Sequence, residues 1–353
     1  MHGHLRTVVV AAVAVATLVF ANAAFAANTA SVSVWHTPMV LAGSDSTTIH
    51  VSIPQATDGI AAVNIFVPSG YGATLGQAAG TSIGTVDATA LAHDGGLTLP
   101  LSGPVTVEDP AKHTTDQCSP GTNAAVWNMN LSVAGQTLVV PIYVNPTAGP
   151  ATALGAYNLR ICLPPWDVPL GTPGRAFNGA QLLDAKFTVN KILTTPTGAG
   201  VLKWETLFTP YTPGKGTPNA AGTFEARAFV PIPILLGARV SYVKKKNTWT
   251  LSGTATEGGL PVSGLTVRIA RGLSATRLVV KSSAKTGASG SWKASGKLAP
   301  KKTTYFQVSA AVGERDYTAT GCQSPLTPFA PAGCVTATLS PWSAKSAVVR
   351  VKR

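Results

Sequence analysis

Charge is scarce in this 353-residue chain: Asp, Glu, Lys and Arg make up 12%, against 45% hydrophobic residues. A disordered polar tail carries far more charge and less apolar content, so disorder over most of the length is excluded. Helical periodicity is missing as well. Beyond residue 26 no stretch repeats its apolar residues at about 3.6 positions for long enough to make an amphipathic helix. The 35 Gly and 26 Pro would cost about 1 and 3 kcal/mol each inside one. A helical bundle is therefore excluded. No second long hydrophobic run follows the first; the best, Phe229 to Val240, is broken by Pro231, Pro233 and Arg239, so no transmembrane segment is expected in the mature chain. Cysteines number only four and include no Cys-x-x-Cys pair, which removes the close thiolates that a Cys-ligated metal needs. Zinc-finger and helix-turn-helix spacings are absent too, and nucleic acid is not an expected partner.

What is present is alternation with period two. Trp127, Met129, Leu131 and Val133 alternate with Asn128, Asn130 and Ser132, as a strand with one buried face requires. Tyr157 to Leu163 and Leu183 to Val189 repeat the pattern, and further strands are expected at Thr47 to Ile53, Ala62 to Val67, Leu138 to Val144, Val201 to Phe208 and Thr223 to Val230. Turn clusters such as Pro68-Ser69-Gly70 separate them. Many short strands at this spacing predict an all-β protein of two immunoglobulin-like β-sandwich domains. The expected division is an N-terminal sandwich over 27–236, with a Thr/Pro-rich loop near 194–222, and a basic sandwich over 237–353. In the second, strands are expected at Arg239 to Val243, Thr248 to Thr256, Leu265 to Ala270, Thr276 to Lys281, Ser291 to Ser295, Thr303 to Ala311 and Lys345 to Lys352.

Residues 1–26 read as a cleaved signal peptide: Arg6, an apolar run from Val8 to Phe20, then Ala24-Phe25-Ala26 ahead of Ala27. A secreted, extracellular chain is the consequence. Four cysteines in an exported chain predict disulfides, with three connectivities possible. Spacing favours Cys118 with Cys162 and Cys322 with Cys334, and closing such loops stabilises by about 4 and 3 kcal/mol.

The segment Leu251-Ser252-Gly253-Thr254-Ala255 followed by Gly258 to Val267 resembles the opening hairpin of bacterial immunoglobulin-like and carboxypeptidase-regulatory-like (transthyretin-like) domains. Thr286-Gly287-Ala288-Ser289-Gly290-Ser291-Trp292 is similar to the turn that introduces a later strand in that group, and Leu298-Ala299-Pro300 before Thr304-Tyr305-Phe306 to its final approach. The acidic residue usual in that turn is replaced by Gly287 or Ala288. The resemblance implies a sandwich fold and a spacer or adhesion role without a shared active site. No family is recognised in residues 27–236.

The two halves differ in charge. Residues 27–190 hold four basic side chains against nine acidic, whereas residues 191–353 hold 22 against five. Cations gather at Lys244, Lys245 and Lys246, at Lys281 with Lys285, at Lys293 with Lys297, and at Lys301 with Lys302. Such asymmetry speaks about partners. It points to an anionic cell-wall polymer or to lipid headgroups, through Lys244, Lys245, Lys246, Lys301 and Lys302; a plainly solvated basic exterior is the commoner meaning of such runs. Oligomeric state is not readable here.

Enzymatic signals are weak. Gly80-Thr81-Ser82-Ile83-Gly84 matches a nucleophile elbow, but strand-like Thr85-Val86-Asp87-Ala88 follows where a helix must. Glu108, Asp109, His113 and Asp116 beside Cys118 fit no calcium loop and read as an ordered loop. Neither a cofactor nor a metal is expected. The reading is a secreted, non-catalytic structural, adhesion or binding module. The alternatives are a carbohydrate-binding protein using Trp166 and Trp342, placed after prolines in loops, and, behind it, a secreted hydrolase.

Overall fold

The computed structural model describes residues 28–44, 46–133, 135–298, 303–316 and 336–351. Within them the protein is all-β, its strands packed in layers as in β-sandwich domains, and the helical elements are short 3-10 turns. In chain order the strands are β1 (Ser31–His36), β2 (Ser46–Ser52), β3 (Ile60–Val67), β4 (Gly72–Ala73), β5 (Ser82–Ala92), β6 (Leu97–Glu108), β7 (Ala125–Val133), β8 (Gln136–Pro146), β9 (Tyr157–Cys162), β10 (Ala180–Asn190), β11 (Leu193–Thr194), β12 (Gly200–Pro210) and β13 (Phe224–Ile232). Then come β14 (Ile234–Leu236), β15 (Arg239–Val243), β16 (Thr248–Glu257), β17 (Leu260–Pro261), β18 (Thr266–Ser274), β19 (Arg277–Lys285), β20 (Ser291–Lys297), β21 (Thr304–Val312), β22 (Arg315–Asp316), β23 (Thr336–Leu339), β24 (Trp342–Lys345) and β25 (Val349–Val351).

Thirteen strands form one sheet, in the order β1, β2, β10, β5, β6, β7, β8, β9, β3, β12, β13, β23, β22. It curls until β1 lies against β13 and β23. There the Val34 N–H donates to Ser340 Oγ at 3.2 Å and the Thr338 hydroxyl donates to the Val32 carbonyl. The curl encloses one face of the sheet. Trp127, Met129 and Leu131 point inward from β7 while Asn128 and Asn130 stay half-buried, so the alternation in the sequence becomes the inside and outside of the roll. Trp127, Trp204, Phe187, Phe208, Ile49, Ile65, Ile142 and Leu159 are fully buried there, each contributing about 1.5–3 kcal/mol by leaving water.

β5 and β6 make the longest hairpin, of which the sequence announced only strand-like Thr85-Val86-Asp87-Ala88, because Ala, Thr, Gly, Leu and Pro fill most of the rest. Two of its glycines serve close approach. A Cβ on Gly84 would sit 1.7 Å from the Thr188 carbonyl oxygen, and one on Gly103 would sit 1.7 Å from that of Asn130.

In the basic stretch, β16 is flanked by β14 and β15 on one side and by β20 and β17 on the other. The facing layer orders β19, β18, β21 and β24, with β25 also on β21. Trp249, Leu251 and Trp292 from the first layer meet Ile269, Phe306 and Val308 from the second, all buried, with Trp249 and Phe306 ring centroids 4.8 Å apart. Lys345 to Lys352, expected as one strand, is two: Ser346 turns away between β24 and β25 and holds Val308 through its hydroxyl at 3.1 Å.

The chain returns after this layer begins. β23 adds to β13 in parallel, pairing Ala226 to Phe229 with Thr336 to Leu339, before β24 and β25 rejoin β21. Main-chain hydrogen bonds thus tie the basic layers to the first sheet, and the Ile234 N–H donates to the Met39 carbonyl at 2.9 Å.

Cys118 is bonded to Cys162 at the end of β9, with Cα atoms 5.9 Å apart. Such a bond belongs to an oxidising, extracellular or cell-surface setting. Cys322 and Cys334 lie outside the described residues, as do residues 1–27. Among the described residues no helix is long and apolar enough to cross a membrane. The disulfide closes a sequence separation of 44. Replacing both residues by Ala should therefore lower unfolding free energy by about 4 kcal/mol, read as a shifted urea midpoint; an unshifted midpoint would show that the unfolded chain gains no freedom.

His36 on β1 is sealed between Thr47 and Tyr71, its Nδ1 3.0 Å from Thr47 Oγ1 and its Nε2 2.8 Å from the Tyr71 hydroxyl. Burial disfavours the imidazolium and lowers its pKa from 6.5 to about 4. Between those values the unfolded chain binds a proton that the folded chain refuses. Stability through this group is present above 6.5 and is lost as pH falls toward 4, by about 3 kcal/mol. A His36→Gln variant keeps a non-titrating polar group at the level of Nε2, and the difference between its unfolding free energies at pH 4 and pH 7 should be that much smaller than in the unaltered protein.

Candidate functional site

Lys244, Lys245 and Lys246 form a single 3-10 turn between β15 and β16, all three exposed. Asn247 closes it with φ of 50°, in the left-handed region where Asn is tolerated. Its side chain anchors the base: Nδ2–H donates to the Leu298 carbonyl at 3.0 Å, and Oδ1 accepts from the Tyr242 hydroxyl at 3.0 Å. The result is a rigid stalk carrying three ammonium groups with no carboxylate partner among the described residues. Lys301 and Lys302 lie outside those residues.

The two tryptophans do not share an exposed rim. Trp166 is half-buried, stacked on His93 with centroids 3.8 Å apart and planes 10° apart, and its indole edge presses on Gly59, where a Cβ would come within 2.9 Å of Nε1. His93 is held in turn by Gln181 at 2.9 Å, and Arg175 grips Asp94 through two bonds of 2.7 Å. That guanidinium keeps the Asp94 carboxyl below the usual range. Trp342, read from sequence as a loop residue, instead opens β24 and is 5% exposed. Its Nε1–H donates to Glu257 Oε2 at 2.7 Å, an oxygen that also accepts from Arg315 at 3.1 Å.

The acidic cluster is an ordered loop beside the disulfide. Asp116 accepts from the Tyr143 hydroxyl at 2.5 Å and pairs with His113 Nδ1 at 2.7 Å, which together hold its carboxyl below the usual range. Glu108 takes Lys112 at 3.0 Å, Asp109 caps the short turn at Ala111, and Arg160 donates to the Cys118 carbonyl at 2.6 Å. The only side-chain hydrogen bond of His113 among the described residues is to Asp116. Ser82 opens β5, and the helix a nucleophile elbow needs does not follow.

Sequence reading missed a buried ionic cluster. Alternation along β12 puts Lys203 and Glu205 on the face opposite Trp204, which suggests solvent. Yet Glu205 is 0% exposed, Glu225 7% and Arg227 5%. Register sets Glu205 opposite Arg227. Lys203 Nζ stands 2.5 Å from Glu205, while Arg227 bonds Glu225 through Nε and approaches Glu205 at 3.7 Å. The two carboxyls compete for limited positive charge. Burial opposes ionisation of Glu205, but bonds from Glu225 and Lys203 and the Lys203 and Arg227 charges outweigh it and keep its pKa low. Burial, reinforced by Glu205, raises Glu225 to about 7.

No family model matches the chain, and no curated protein matches it. Among solved structures it is similar to the full-length major pilin SpaD from Corynebacterium diphtheriae, at 11% identity over 90% of this chain and 68% of that chain. The TM-score is 0.22, too low for the likeness to carry an argument.

The Glu225 shift has a sign opposite to that of His36. Between the ordinary value of 4.5 and about 7 the folded chain holds a proton the unfolded chain releases, so this contribution is present below 4.5 and is lost as pH rises through 7. Glu225→Gln keeps the neutral form at every pH. Relative to the unaltered protein its urea midpoint should rise from pH 5 to pH 8; a constant difference would show that the carboxyl does not titrate in this range.

Proposed function

We propose that the protein is an exported, non-catalytic structural or adhesion module. It holds to anionic polymers of the cell envelope through its basic C-terminal part, residues 237–353, with residues 27–236 as a second unit. The carrying observation is that, among the described residues, the cations of this part other than Arg315 stand without carboxylates. Of the five acidic residues after position 190, Glu205 and Glu225 are buried with Lys203 and Arg227, and Glu257 is taken by Arg315 and Trp342. Only Glu314 and Asp316 are exposed. The immunoglobulin-like or transthyretin-like pattern over Leu251 to Phe306 supports a role as a spacer or adhesion unit, and the disulfide supports an oxidising exterior.

The reading is tested by passing the purified protein over immobilised polygalacturonate and over immobilised poly(glycerol phosphate), with dextran as the neutral control. Retention on at least one anionic matrix is expected at low ionic strength, with elution as salt shortens the screening length below about 10 Å near 0.1 M. Replacing Lys244, Lys245 and Lys246 by Gln should shift elution to lower salt. Absence of retention, retention indifferent to salt, or equal retention on dextran would overturn the reading.

A further inference from the structure

Three strands of the basic part present a second feature that the lysine runs alone do not reveal. β15 and β20 flank β16, and the register sets Arg239 opposite Ser252 and Ser252 opposite Lys293. The next outward rows are Ser241, Thr250 and Ser295, then Val243, Thr248 and Lys297. Residues directly opposite in an antiparallel sheet share a face. The intervening residues Trp249, Leu251 and Trp292 are buried against the other layer, so these rows form the outer face. The face is therefore built of hydroxyls and cations with one exposed apolar residue, Val243, and there is no carboxylate in any of these rows. Arg239, Lys293 and Lys297 are exposed and make no ion pair among the described residues, and the hydroxyls of Ser241, Thr250, Ser252, Thr254 and Ser295 have no side-chain partner there.

An open pocket of about 810 Å³ is lined by Arg239, Ser252, Thr254 and Lys293 of this face, by Gly253 and Trp292 beneath it, and by Lys285 of the facing layer. Its origin is local. Thr254 pairs with Ser291 on one side, and on the other its carbonyl accepts from the N–H of Gly237 at 2.9 Å, a residue that offers no side chain to complete the row. Underneath, Gly253 makes room for the buried Trp292 ring; a Cβ there would lie 1.9 Å from the Gly237 carbonyl oxygen and 2.8 Å from Trp292 Cζ2. The floor is thus fixed by close backbone packing, and the walls are cationic.

Building on the polymer-binding reading, we propose that this face is the seat of the polymer: an extended anionic chain whose repeating units carry both an acidic group and hydroxyls. Arg239 and Lys293 stand two strand spacings apart, about 10 Å, and Lys297 lies four residues further along β20, about 13 Å. These spacings suit charges recurring along a strand of polymer and not one compact anion. The acidic groups meet Arg239, Lys293 and Lys297, the Ser and Thr hydroxyls exchange hydrogen bonds with those of the polymer, and the pocket takes one unit beside Lys285. Carboxylate and phosphodiester polymers share this chemistry, and the two matrices distinguish them.

The test compares two charge-matched variants of the full chain, R239Q/K293Q/K297Q and K244Q/K245Q/K246Q. Binding to soluble polygalacturonate and poly(glycerol phosphate) fragments is measured at one fixed salt concentration, and the melting curve of each variant reports its folding. The face variant should lose roughly tenfold or more on the preferred polymer, and the turn variant only a few-fold. A third variant, S241A/S252A/S295A, keeps all charge and should still lose several-fold, a loss that a purely ionic surface would not register. Equal losses from the two charge variants, or no loss from the hydroxyl variant, overturn the proposed seat while leaving polymer adhesion standing. Failure of the unaltered protein to bind either polymer overturns both.

Discussion

The strand on which the architecture depends is β13. It has β12 hydrogen-bonded along one edge and the returning β23 along the other, and β1 packs against it where the sheet curls. Ala226, Ala228, Val230 and Ile232 line the interior from it at essentially zero exposure. The small size of Ala226 and Ala228 leaves room on the neighbouring strand for Trp204, which lies directly opposite Ala228. The same strand leads through Pro233 into β14, the first strand of the basic layers. A single pairing therefore supports both the closed roll and the attachment of the cationic sandwich, and loss of its register would turn the interior row outward.

Charge is distributed by the same geometry. The outward row of β13 and β12 would ordinarily meet water, but here Glu205, Glu225 and Arg227 are buried. Removing one partner from such a cluster is strongly destabilising, because it strands an uncompensated charge in a poor dielectric. Two carboxyls facing one close guanidinium solve this by giving Glu225 a proton. Acidic residues that might have neutralised the basic half are thus spent inside, and the exposed cations keep their field. The proton held at Glu225 and the proton refused by His36 oppose one another through the mildly acidic range, so neither alone sets how stability varies with pH.

How much of this was legible depended on which residues carried the strands. Val, Ile, Trp and Phe in alternation announced β7, β9, β12 and β16, and even their ends fell within a residue or two of the observed bounds. Of β5 only Thr85 to Ala88 read as strand, and β6 escaped: Ile83, Val86, Val105 and Val107 do face inward, but Ala, Gly and Leu hold the other inward positions, and cross-strand packing supplies what propensity does not. Trp342 was taken for a loop residue because Pro341 precedes it, yet proline is tolerated just outside a strand. The cationic face was hidden for another reason. Ser252 lies 13 positions after Arg239 and Lys293 another 41 on, and only strand register puts them in a row.

Much of the positive charge has an alternative structural use. β15 and β20 pair on one side only among the described residues, and lysine on an edge strand discourages pairing with other chains. The same holds for Arg277, Lys281 and Lys285 on β19, where Val279 and Val280 are exposed and would otherwise invite association. Edge protection explains the presence of charge and favours lysine in particular. All three edges here carry cations alone. It gives no reason for the uncommitted hydroxyls to fill the rows between them, or for Gly237 and Gly253 to open a pocket beneath. Cations, hydroxyl rows and pocket together are what a face built for an anionic, hydroxylated chain requires, and protection of the edges accounts for the cations but for neither the hydroxyl rows nor the pocket.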